Sequence, residues 1–175
     1  MPQSDVRQRP TLLNSCAMAA TAAEAKFRIE YSFLPRDSRI VAVDAAAAVV
    51  VRRASQRHWS GAAHFLTFDG PAPSAANGSP PDATLRTCDG TDVWLSNELA
   101  SADVTVMVAG SASPEAAAVI GRACAERGIM TAGVALAGAG DEVNDAVLAL
   151  RPHAMVLVVS TDEDDLLELL TALRV

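Results

Sequence analysis

From residue 38 onward the chain alternates two kinds of segment. Short, continuously apolar runs of strand length are RIVAVDA, AHFLTFDG, VTVMVAG, IMTAGVALAG and MVLVVS. LRTCDG reads as a further short strand. Between them lie stretches with helical spacing of apolar positions: AAAVVVRRASQRHW, ended by Ser60-Gly61; the short amphipathic DVWLSNELASAD; SPEAAAVIGRACAERG; DEVNDAVLALRPHA, broken near Pro152; and TDEDDLLELLTALRV. The third has clear end signals, with Ser113 as N-cap, Pro114 in the first turn and Gly128 past the end.

Continuously apolar strands alternating with helices predict a sheet covered on both faces, because a half-exposed strand would alternate polar and apolar residues. The expected fold is α/β, a three-layer, doubly wound, mostly parallel sheet of Rossmann-like type. Residues 1–10 read as a polar, flexible arm and 11–34 as an N-terminal helix stopped by Pro35. Residues 11–175, that helix included, read as a single domain, interrupted by a Pro-, Ala-, Ser- and Gly-rich flexible loop at 70–83.

Charge narrows the function. The net charge of −7 disfavours nucleic acid and anionic membrane surfaces, which need a basic footprint. The one basic stretch, Arg52-Arg53 to Arg57, reads as a solvated helix face. The only lysine is Lys26, and no Gly-Lys-Ser/Thr sequence occurs, so a Walker-type phosphate loop is excluded. Cys16, Cys88 and Cys124 lie far apart and read as reduced thiols of a cytoplasmic protein. The run TLLNSCAMAATAA is too short and too polar for a signal or lipoprotein leader, and no stretch is long enough to span a membrane.

His58, His64 and His153 follow no metal-ligand spacing, and no metal site is expected. No GxSxG elbow is present. The acids of the DEDD run open a helix, where the dipole alone accounts for them. No residue is nominated as catalytic, and an enzyme ranks last among the readings.

The order of motifs resembles the nucleotide-binding half of the FtsZ/tubulin family of GTPases. RIVAVDAAAAVVVRR is similar to that family's first strand, glycine loop and helix, and HFLTFDG to its second strand, ending in Asp69. ELASADVTVMVAG is similar to the helix and strand leading to its second glycine loop. AAAVIGRACAERGIMTAGVAL is similar to the helix and strand after that loop, and RPHAMVLVVSTDEDDLLELL to the next strand and turn. The likeness covers about Arg39 to Leu170. It departs where the family binds phosphate: the first loop reads VDAAAAV, the second GSASPEA, and of the glycines only Gly110 clearly remains. The chain also ends about where the family's long central helix would begin. GTP hydrolysis is therefore not expected.

If a ligand binds, the candidate residues are Asp44, Asp69, Gly110, Ser111 and Ser113, at the strand ends and the helix mouth. The same Gly110 segment is similar to the serine loop of sugar-isomerase-type phosphosugar-binding domains, which implies Ser111 and Ser113 as phosphate donors. Against a phosphate stand Asp44, Glu115, Asp141, Glu142 and Asp162 to Asp165. One such acid about 5 Å from a phosphate charge costs roughly 3 kcal/mol at an effective dielectric near 20, on the order of a hundredfold in affinity. A magnesium ion held by Asp44 and Asp69 would reverse that sign. No cofactor is expected, with a magnesium nucleotide such as GTP the alternative. The leading expectation is a non-catalytic interaction or assembly module with a protein partner or self-association. The alternative is a binder of a nucleotide or phosphorylated small ligand.

Overall fold

The computed structural model describes residues 36–59, 62–71, 82–137, 142–160 and 163–175. The predicted arm at 1–10 and helix at 11–34 lie outside the described residues, as does the 72–81 part of the predicted loop. Of the remainder, Gly70, Pro71 and Ala83 are in strands, because β2 runs on to Pro71 and β3 begins at Ala83, and Asp82 leads into β3.

The described elements run β1 (Ser38–Ala42), α1 (Ala45–Ser55), β2 (Ala63–Pro71), β3 (Ala83–Thr87), β4 (Asp92–Trp94), α2 (Leu95–Glu98), β5 (Val104–Ala109), α3 (Pro114–Arg127), β6 (Met130–Leu136), α4 (Glu142–Leu150), β7 (Val156–Ser160) and α5 (Glu163–Ala172). The strands form one sheet in the order β4-β3-β2-β1-β5-β6-β7. β1 pairs in parallel with both β2 and β5, and β5, β6 and β7 continue in parallel. β3 and β4 add an antiparallel edge.

Strand period decides the layers. Val41, Val43, Met107 and Ala109 point to one face, where they pack with Leu99, Ala117, Ile120, Cys124, Ala146 and Leu150 of the α2, α3 and α4 side. Ile40, Ala42, Val106 and Val108 point to the other, against Ala47, Val51 and Ala54 of α1 and Leu166 and Leu170 of α5. From β1 the chain steps to β2 on one side, and from β5 it steps to β6 on the other. Right-handed crossovers then require α1 and α3 on opposite faces, as observed. Among the described residues, no helix is long and apolar enough to cross a membrane.

Two elements depart from the sequence reading. The segment DVWLSNELASAD is not one helix: Asp92–Trp94 is strand and only Leu95–Glu98 is helical. A tight turn at Cys88-Asp89-Gly90, with Gly90 at φ 92°, folds β4 back on β3. Thr87 closes this turn by accepting from Gly90 N–H and donating its own N–H to Thr91. Thr87 Oγ1 also donates to the Asp89 carboxylate, which holds that carboxyl below its ordinary range. The helix after β1 also stops earlier than Ser60-Gly61, at Ser55. There Trp59 Nε1 donates to Ala54 O at 2.9 Å and satisfies a terminal carbonyl that a further turn would have used.

The buried Cys124 has its thiol pushed up by desolvation, so it is a packing residue and not a nucleophile. Gly121 beside it allows α3 to meet the turn after α4. A Cβ there would overlap the His153 side chain, and its next nearest neighbour, His153 Cγ, would stand at 2.6 Å. Alanine gains about 1 kcal/mol over glycine in a helix, whereas overpacking costs about 1–3 kcal/mol. Gly121→Ala is therefore expected to lower the urea midpoint without changing the slope. A raised midpoint would contradict the close packing described.

Candidate functional site

β1 and β5 are neighbours, and their connections leave in opposite directions. That divergence opens a crevice at their carboxyl ends, the place where open α/β sheets hold ligands. The residues that reach it are Asp44, just past β1, and Gly110 and Ser111, just past β5.

Asp44 joins the two loops. It is the N-cap of α1, in extended conformation, and its Oδ1 accepts Ala47 N–H at 2.8 Å. Its Oδ2 accepts Gly110 N–H at 2.8 Å and Ser111 N–H at 3.0 Å. Three backbone donors, from the mouth of α1 and from the loop before α3, thus converge on one carboxylate. Free donors of this kind are what a phosphate needs. Here an acidic side chain of the protein itself supplies the anion.

The backbone closes the crevice further. Gly110 is buried, and a Cβ on it would stand 2.7 Å from Ala46 Cβ and 3.4 Å from Asp44 Oδ1. The glycine at this position therefore serves contact between two protein loops. Asp44, Gly110 and Ser111 form one cluster.

The other two candidates lie outside it. Asp69 sits at the exposed end of β2, where Arg86 Nη2 binds its Oδ2 at 2.8 Å. Arg86 Nε binds Asp92 Oδ1 at 2.8 Å, so Asp69 belongs to a charge network of the antiparallel edge. Ser113 occupies the N-cap position of α3, but its hydroxyl makes no capping hydrogen bond. Its ψ of 63° departs from the extended backbone that aims a capping oxygen inward, and only its carbonyl joins the helix, accepting Ala117 N–H at 3.1 Å. The first turn of α3 carries Glu115.

A second polar cluster, which the sequence reading did not assemble, lies at the opposite, amino-terminal edge. Arg39 and His64 are register partners on β1 and β2. Buried Arg39 binds Glu98 Oε2 through Nε at 2.9 Å and Ser101 Oγ through Nη2 at 2.9 Å. His64 Nδ1 meets the same Glu98 Oε2 at 2.6 Å. The buried arginine is thereby paired and hydrogen-bonded, as its burial requires. The cluster ties α2 to the sheet. Its only sequence signal was a charge within the otherwise apolar strand run RIVAV. Among the described residues, no group of three or more His, Cys, Asp or Glu side chains could hold a metal ion. A groove of about 230 Å³ opens elsewhere, between α1 and α5, lined by Arg53, Gln56, Arg57, Asp164 and Leu166.

The Asp44 cluster predicts a graded mutational series. Asp44→Ala removes an N-cap and two cross-loop bonds and is expected to cost about 3 kcal/mol. Asp44→Asn keeps an acceptor for Ala47 but turns an amide NH2 toward Gly110 and Ser111, and is expected to fall between wild type and Asp44→Ala. Gly110→Ala is expected to cost about 1–3 kcal/mol through overpacking. Denaturant unfolding checks all three; an Asp44→Ala variant as stable as wild type would contradict the cross-link.

No protein-family model matches the chain, and no curated protein matches it significantly.

Proposed function

We propose that this chain is a non-catalytic, Rossmann-like domain of FtsZ/tubulin-like kind that acts as an interaction or assembly module. One observation carries the reading: the donors at the switch point are already satisfied by the Asp44 carboxylate. A nucleotide phosphate entering there must displace a bonded carboxylate and meet its charge. The same acid stabilises the fold by tying α1 to the β5 loop, so the phosphate site is exchanged for a structural link. GTP hydrolysis is not part of the reading. A protein partner or a second copy of the chain is. The reading includes a cytoplasmic location, in which Cys88 and Cys124 remain free thiols.

The alternative, a binder of a nucleotide or phosphorylated small ligand, draws on a separate observation. The amino terminus of α3 has no side-chain cap, and Ser113 makes no capping bond there. That ligand would meet Glu115 in the first turn.

Thermal unfolding with GTP, GDP, ATP and sugar phosphates, with and without magnesium, separates the two. A ligand at about a hundred times its dissociation constant stabilises by roughly 2.7 kcal/mol, about 5–10 °C for a chain of this size. The interaction-module reading predicts no shift with any of them and no phosphate release from GTP. A saturable, ligand-specific shift would favour the alternative, and a magnesium-dependent shift with guanine nucleotides would overturn the proposal.

A further inference from the structure

At the amino-terminal edge of the sheet, one member of the Arg39–Glu98–His64 cluster is not explained by burial. Arg39 is 3% exposed and needs a counter-charge and acceptors for its donors. Glu98 Oε2 at 2.9 Å, the Glu98 carbonyl at 2.8 Å and Ser101 Oγ at 2.9 Å supply them. His64 is not needed for this. Its side chain is 48% exposed, yet its Nδ1 lies 2.6 Å from the same Glu98 oxygen. Among the described residues, it is the one histidine whose ring is bonded to a carboxylate.

That bond fixes the chemistry of the ring. Glu98 is paired with a buried guanidinium and is therefore a carboxylate, which can only accept a hydrogen bond. The proton shared by the pair belongs to His64 Nδ1. In the neutral ring the lone pair then lies on Nε2. Nε2 makes no hydrogen bond among the described residues, in a side chain half open to solvent. The spacing is set by the sheet, because Arg39 and His64 are register partners on the parallel strands β1 and β2. A nucleophilic atom, a carboxylate that balances charge formed on it and a third group that orients the carboxylate make up the arrangement that activates side-chain nucleophiles. Here these are His64, Glu98 and Arg39.

We infer that His64 is a modification site, the acceptor at Nε2 of a phosphoryl group from an acyl phosphate. The Nε2 lone pair forms the N–P bond while the P–O bond to the leaving carboxylate breaks, and that carboxylate keeps the electron pair. No proton has to leave. The ring retains Nδ1–H, and Glu98 balances the positive charge that develops there. Glu98 is a positioning residue in this step, and the chain is the substrate. The site stands at the opposite edge of the sheet from the Asp44 crevice, so the inference goes beyond the interaction-module reading and does not depend on it.

The test incubates the full chain with acetyl phosphate and maps the modified peptides by mass at neutral pH. The expected result is one acid-labile phosphoryl group on His64, with His58 and His153 unmodified. Nitrogen NMR of the His64 ring is expected to show Nδ1 protonated and Nε2 bare in the neutral form. Glu98→Gln keeps an acceptor for Nδ1 but removes its charge, and is expected to slow labelling about tenfold, the worth of one charge-assisted hydrogen bond. Labelling absent from His64, or spread evenly over the three histidines, overturns the inference whether or not the variant folds. So does the opposite tautomer, and so does a folded Glu98→Gln variant that is labelled as fast as wild type. Nucleotide binding at the Asp44 crevice is untouched by any of these results and is judged by thermal unfolding alone.

Discussion

The carboxylate of Asp44 holds together the two loops on which this fold's ligand crevice depends. It caps α1 through Ala47 and takes the N–H groups of Gly110 and Ser111 from the adjacent connection. A parallel sheet that reverses its winding leaves a gap between diverging loops, and the backbone donors in that gap must find acceptors. Many α/β proteins leave them to a ligand. This chain meets the need with its own side chain, and the close approach of Gly110 to Ala46 seals the contact.

The same solution recurs around the sheet. Asp82, just before β3, accepts from Ser96 N–H and Oγ and so binds the first turn of α2. Glu98 neutralises the buried Arg39 and engages His64. In each case an acid ties a helix to a strand that is distant in sequence. Three of the 21 acidic residues, Asp44, Asp82 and Glu98, thus serve internal joints.

Alternation of apolar strands and helices made the covered, mostly parallel sheet legible from residue 38 onward, because hydrophobic period is a local property. The mouth residues Asp44, Gly110 and Ser111 were legible as neighbours for the same reason: each follows an apolar strand directly. Their bonding was not legible, since whether an acid caps its own helix or also reaches a second loop depends on sheet order. β4 was hidden by its length of three residues, too short for a period of two to register, although the Asp89-Gly90 pair carried a turn signal. The early end of α1 depended on the Trp59 indole, and the Arg39–Glu98–His64 cluster on register between β1 and β2. Asp69 looked like a partner of Asp44 because both follow strands, but Arg86 on the antiparallel hairpin engages it.

The central claim is that the switch-point amides are bonded to Asp44 and closed to phosphate. The most direct measurement follows the backbone amide resonances of Ala47, Gly110 and Ser111 by NMR while GTP with magnesium, and then inorganic phosphate, are titrated into the wild-type protein. The account predicts that these three resonances keep their positions and their protection from hydrogen exchange throughout. Saturable movement of Gly110 and Ser111 with either titrant would contradict it.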